Sequence, residues 1–250
     1  MIKLILLAII SVHVDTVMIQ WGSRKGELGI KIQTHEDAGP NMGPLAFDVE
    51  NGKIVFIDIY NNRLEYFDKY GKFQKEVRLD GFPNNIILWN GQTYLTSMSR
   101  EGIKFLKLSE GKIKTVTTIN VRRPLVRNSV EFLKDFKNRA LLVSYKMLNG
   151  EKIRSYFTLF NEGLKAEDFI QGDPSSGKNS TIIGYDEKGV PVSAWFDGRV
   201  FHFKHGSDTF SWNPIFYALM DAAPYRIEKD GTLYIVNYKK EGVEILEVRW

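Results

Sequence analysis

Short breaks of the Asn-Gly kind recur along this chain, and their spacing limits its fold more than any other feature. The stretch "GPLAFDVENGKIVFIDIYNNRLEYFDKYGKF", residues 43–73, alternates apolar runs with such breaks. Leu45 to Glu50 reads as a strand ending at Asn51-Gly52, a pair that supplies the positive φ angles of a tight hairpin. Ile54 to Tyr60 follows, nearly all β-branched or aromatic. Asn61-Asn62 turns the chain into "RLEYFD", and "KYGK" turns it again into "FQKEVRL". Strand and turn in this alternation predict a four-stranded antiparallel meander.

The same grammar returns. Residues 84–119 carry Asn90-Gly91, Glu101-Gly102 and Glu110-Gly111 between apolar runs. A looser copy holds Asn149-Gly150 and Glu162-Gly163, and a fourth holds Lys188-Gly189, Asp197-Gly198 and His205-Gly206. The last copy, "YRIEKDGTLYIVNYKKEGVEILEVRW", ends after its third strand. First turns lie about 40 to 50 residues apart, the period of a β-propeller blade. The missing fourth strand of the last copy is supplied in this reading by "VDTVMIQW", Val14 to Trp21, which removes the free edge a linear array would expose. The expected fold is an all-β propeller of five or six four-stranded antiparallel blades, closed by the N-terminal strand. Residues 14–250 form the propeller domain.

Within "GKIVFIDIYNNRLEYFDKYGKF" the residues Gly52, Asp58, Asn62, Arg63, Phe67, Asp68 and Gly71 follow the blade pattern of NHL-repeat propellers, which this stretch resembles. The second copy departs from that pattern, with Ser97 and Ser99 where its Asp and Asn would fall. Relatives of this kind usually have six blades, whereas five copies are counted here. The resemblance implies that Asp58 and Arg63 tie neighbouring strands or blades together.

The chain opens "MIKLILLAIISVHVDTVMIQW", where Lys3 precedes the apolar run Leu4 to Ile10. This is the layout of a secretory signal peptide, and the run is too short to span a bilayer. Residues 1–13 are therefore expected to be a signal peptide or an N-terminal apolar segment. The protein is expected to be exported, periplasmic or extracellular, after loss of roughly 15 to 20 residues. With no cysteine in its 250 residues, the chain has no disulfide, thiolate metal site or cysteine nucleophile. Its net charge of +4 is spread without a dense basic tract, so no nucleic-acid partner is expected.

No catalytic signature stands out. "GDPSSGKN", residues 172–179, nearly matches a phosphate-cradling loop, but Asn179 replaces the magnesium-binding hydroxyl and a strand-like "STIIGYD" follows. His202 and His205 are three apart on one strand and so face opposite ways, while His35 sits in a polar connecting segment. No metal site or cofactor is predicted. "WNPIFYALMDAAP" reads as one short helix, with Asn213 as cap and Pro214 at the first helical position.

What remains is one rim. The loops between blades and those joining second to third strands collect Tyr60, Phe82, Arg100, Arg122, Arg123, Trp195, Tyr238 and Lys239. Aromatic anchors with arginines suit recognition of a protein or acidic polymer. A non-catalytic binding or scaffold module is the favoured function. The alternative is a metal-dependent lactonase- or lyase-like enzyme using Glu50, Asn90 and Asp186, which end first strands. In the bland reading those three only serve their turns.

Overall fold

The computed structural model describes residues 12–33, 41–99, 102–119, 130–134, 140–148, 151–160, 163–165, 181–197, 199–213, 218–219 and 224–250. The strands, in chain order, are β1 (His13–Gln20), β2 (Asn41–Met42), β3 (Ala46–Glu50), β4 (Lys53–Asp58), β5 (Arg63–Phe67) and β6 (Phe73–Arg78). There follow β7 (Asn85–Trp89), β8 (Gln92–Ser99), β9 (Gly102–Ser109), β10 (Lys112–Ile119), β11 (Val130–Lys134), β12 (Ala140–Leu148), β13 (Glu151–Phe160) and β14 (Gly163–Lys165). The last are β15 (Thr181–Tyr185), β16 (Pro191–Phe196), β17 (Phe201–His205), β18 (Asp208–Trp212), β19 (Ala218–Leu219), β20 (Tyr225–Ile227), β21 (Leu233–Tyr238) and β22 (Gly242–Arg249).

The described chain is all-β, with four-stranded antiparallel blades arranged as a propeller. Four sheets are each made of consecutive strands: β3–β6, β7–β10, β11–β14 and β15–β18. Another sheet has the order β1-β22-β21-β20 and so joins the two ends of the chain. Along β1 and β22 the register runs without a bulge from His13↔Arg249 to Gln20↔Gly242. First strands lie side by side in sequence, β3 by β7, β7 by β11, β11 by β15 and β15 by β20, and β20 also meets β3.

The turn chemistry follows the sequence closely. Asn51 and Gly52 have φ values of 51° and 70°, and Asn90-Gly91 and Glu110-Gly111 repeat the pattern. Both central residues at positive φ make the primed turn whose twist matches the flanking strands. β3, β4 and β7 are buried along nearly their whole length because a sheet packs against each side, and in β7 all five residues are buried. Outer strands such as β6 and β1 are largely exposed.

The core lies between blades. Ile19, Phe47, Phe56, Tyr234, Val236 and Ile245 pack where the terminal sheet meets β3–β6. A second cluster holds Ile57, Leu64, Tyr66, Leu88 and Leu95 between β3–β6 and β7–β10, and there the Tyr66 hydroxyl meets Thr93 Oγ1 at 3.0 Å. Gly71, at φ 76°, comes so near Val17 that a Cβ there would lie 2.3 Å from its Cγ1. β1 therefore packs against the first blade as well as pairing with the last.

One expectation is corrected here. The helix read from "WNPIFYALMDAAP" is not present where the chain is described, because Ala218–Leu219 is a short strand pairing in parallel with Asn41–Met42. Extended backbone at that point gives β2 the partner its N–H and C=O groups need, and this outweighs local propensity. The remainder of that stretch, Pro214 to Tyr217 and Met220 to Ala223, lies outside the described residues.

Candidate functional site

The rim residues proposed from sequence do not behave alike. Tyr60 and Phe82 stand exposed, Phe82 at 78%. Trp195 is half-buried and stacks on His202, with ring centroids 5.0 Å apart. Lys239 is half-buried and ion-paired to Glu244. Tyr238 is only 2% exposed. Its hydroxyl donates to the Pro44 carbonyl at 2.9 Å and its ring meets Trp21 edge-on, so it is a core residue and not part of an exposed rim. The correction has a simple cause: Trp21 and the Gly43-Pro44 segment close over the ring and hydroxyl of Tyr238. Arg100, Arg122 and Arg123 lie outside the described residues, as do His35 and the 172–179 loop.

Met98 and Phe196 end second strands with their side chains exposed, and Ile32 is exposed in the segment between β1 and β2.

Beside them lies a buried ion network. Arg63 Nη2 donates to the carbonyls of Arg24 and Glu27, each at 2.7 Å, and Nη1 donates to Glu76 Oε2 at 3.1 Å. The guanidinium also lies 3.2 Å from Glu65 Oε1 and 3.5 Å from Asp58 Oδ2. Asp58 in turn accepts from Gly29 N and from the Asn61 side chain, which itself donates to the Gly22 carbonyl. Asp58 and Arg63 thus pin the 22–29 loop onto the blade. Sequence reasoning had them as a tie between strands, and they are neighbours in the β4–β5 register.

Glu65 carries the electrostatic tension of this network. It is fully buried, and its Oε2 has no hydrogen-bond partner. Burial first, with Asp58 and Glu76 adding, pushes its carboxyl up to about 7, against the opposing Gly26 N–H and Arg63. A carboxyl raised in the fold favours folding fully below its unfolded value near 4.5, and that contribution is lost as pH rises through about 7. Stability should therefore fall between pH 5 and 8 by an amount on the order of 3 kcal/mol. Denaturant melts of Glu65→Gln should show a clearly flatter pH dependence across that range. An unchanged slope would remove Glu65 as its source.

The opposite face holds a cavity of about 580 Å³, lined at the first-strand turns by Glu50, Trp89, Glu187, Glu228 and Asp230 among others. Two carboxylates at this end, Glu50 and Asp186, are engaged locally. Glu50 Oε2 accepts the Gly91 N–H of the next blade at 2.8 Å. Asp186, beside the cavity, accepts from Lys188 N, Val190 N and His205. Asn90 provides the left-handed turn residue. Glu50, Asn90 and Asp186 thus serve turns, and among the described residues no three side chains of metal-ligating type converge on one point.

His202 is the residue whose surroundings the sequence did not disclose. It lies between Asp197 and Ser211, at 2.9 Å from each. The only signal for that grouping is positional: His202 and Ser211 stand equally far from the Gly206-Ser207 turn, which makes them cross-strand neighbours.

Comparison with solved structures shows the fold and no more. The PQQ-bound aldose sugar dehydrogenase of Streptomyces coelicolor superposes with a TM-score of 0.51 at 12% identity, covering 96% of this chain and 99% of that one. A glucose dehydrogenase-like putative oxidoreductase of Thermus thermophilus gives 0.47 at 9%, covering 96% and 100%. The calcium-binding protein regucalcin of Agrobacterium tumefaciens gives 0.43 at 10%, covering 82% and 90%. No protein-family model matches the sequence, and no match was found among curated proteins.

Proposed function

We propose that the protein is an exported five-bladed propeller, closed by its N-terminal strand, that acts as a binding or scaffold module for a protein or acidic polymer. One observation carries this reading: Tyr60, Phe82, Met98 and Phe196 are each exposed, and by strand order their positions fall at second-strand ends or inter-blade connections, the end where binding was expected from sequence. Arg100, Arg122 and Arg123 belong to loops of the same rim by their place in the repeat and would add the attraction for acidic groups. The metal-dependent enzyme reading is weakened by Glu50, Asn90 and Asp186, which are engaged in turns.

Retention on immobilised heparin, used as an acidic polymer probe, tests the rim. Changing Arg122 and Arg123 to Ala together with Phe82→Ala should lower the salt needed for elution. The melting curve should stay nearly unchanged, since exposed loop changes typically cost within about 0.5 kcal/mol. Elution at the same salt would count against the rim, and a lower melting point would make the arginines structural.

Export carries its own test. β1 begins at His13, so removal of 15 to 20 residues would cut into the strand that pairs with β22. N-terminal sequencing of the native protein should find a first residue at or before His13. A start beyond Val14 would show that the full β1 pairing is not needed in the mature protein.

A further inference from the structure

The Asp197–His202–Ser211 chain lies on the outer half of the β15–β18 blade, and its geometry is ordered at every link. Asp197 Oδ1 accepts the N–H groups of Arg199 and Val200 at 2.9 and 2.8 Å, which fixes the carboxylate. Its other oxygen, Oδ2, meets His202 Nε2 at 2.9 Å. The His202 bond, followed by the two backbone donors, holds the Asp197 carboxyl well below the usual range, so it is ionised at neutral pH. An ionised carboxylate at Nε2 favours the tautomer with its proton there and leaves Nδ1 as an acceptor. Nδ1 lies 2.9 Å from Ser211 Oγ. The imidazole is further held flat against Trp195, at an interplanar angle of 16°.

Strand register adds a second element. Gly206-Ser207 is a two-residue turn, with Gly206 at φ 57°, so the flanking pair His205↔Asp208 exchanges backbone hydrogen bonds. Pairs then alternate, and the fourth, His202↔Ser211, is a pair without backbone bonds. Side chains in such a pair stand closest together, and the Ser211 N–H is directed away from β17. Because β18 is the outermost strand of its sheet, that N–H faces the open edge. A donor beside an activated hydroxyl is positioned to receive negative charge developing on an attacked carbonyl.

We infer that Ser211 is an activated nucleophile at which this protein accepts an acyl group from an activated ester. Ser211 Oγ forms a bond to the carbonyl carbon while its proton passes to His202 Nδ1. The bond from that carbon to the leaving oxygen then breaks, and the leaving group takes the proton from His202. The products are an acyl-serine and the free alcohol or phenol, with no oxidant or cofactor involved. Asp197 acts through His202 as a positioning residue. The inference does not rest on the rim, since it uses neither Phe82 nor the arginines.

Incubating the full chain with p-nitrophenyl acetate and mapping acetylation by mass spectrometry tests the inference. One acetyl group is expected on Ser211, and none at that position in Ser211→Ala. His202→Gln should slow acetylation of Ser211 at least about tenfold, the lower end of what a positioned base supplies. Asp197→Asn, which still offers acceptor oxygen to the turn, should slow the maximal rate while leaving its dependence on ester concentration unchanged. A fluorophosphonate probe should label the same residue, and Phe82→Ala should not alter either reaction. Acetylation confined to lysines would overturn the inference. So would equal acetylation of Ser211 in His202→Gln or in the heat-unfolded chain.

Discussion

A chain that starts after Trp21 is expected to aggregate or to lose cooperative unfolding. Removing β1 takes away eight register positions along β22 at once. It also takes Ile19, 2% exposed in the wild type, out of the cluster that holds Phe47, Val243 and Ile245, and Val17 and Trp21 from its margin. Loss of one such buried aliphatic side chain costs about 2 to 5 kcal/mol. Trp21 also donates its indole N–H to the Lys239 carbonyl at 2.8 Å. What remains is "GVEILEVR" as an uncovered edge, free to pair with another copy. Thermal melts and light scattering of the truncated and full chains decide the matter. If the two melt alike, β1 is dispensable to the fold.

Arg63→Ala should lower stability by about 3 to 5 kcal/mol at neutral pH, the usual result of removing one side of a buried ion pair. The variant leaves Asp58 and Glu65 buried without their cation and strips two donors from the carbonyls of Arg24 and Glu27. Burial holds both carboxyls above their ordinary values even with Arg63 present. Part of the loss should therefore be recovered toward pH 5, where Glu65 is protonated. Arg63→Lys should not restore the wild type, since one ammonium cannot reach carbonyls and carboxylates spread around a planar fork. Denaturant titrations at pH 5 and 8 separate these cases. A loss of under about 1 kcal/mol at pH 8 would make the network no stronger than a surface ion pair.

The strand order and its turns were legible because they depend on local chemistry. Asn51-Gly52 and Asn90-Gly91 adopt the φ values that their residue types allow cheaply. The Glu65 environment was not legible. Alternation in "RLEYF" places Arg63 and Glu65 on the polar face of β5, and charged residues on such a face normally meet water. Here the 22–29 loop covers that face, and the folding of a distant segment leaves no mark on the five residues beneath it. Tyr238 was misplaced for a like reason, since Trp21 and Pro44, both distant in sequence, close over it. Ser211 and His202 were missed because their meeting depends on strand register, which becomes readable only once the Gly206-Ser207 turn length is known.

The sheet built from both chain ends also bears on the order of events in folding. His13 meets Arg249 across almost the whole chain, the longest sequence separation of any strand pairing among the described residues. Closing a loop of that length costs about 5 kcal/mol of chain entropy by simple polymer scaling. Until β22 has been synthesised, nothing along β1 offsets that cost. Blades such as β3–β6 have mostly local pairings and can form early, but the final docking must come last and be slow, as contacts of high sequence separation are. A nascent chain therefore holds its early blades ready but cannot complete the sheet of its two ends until its last residues emerge.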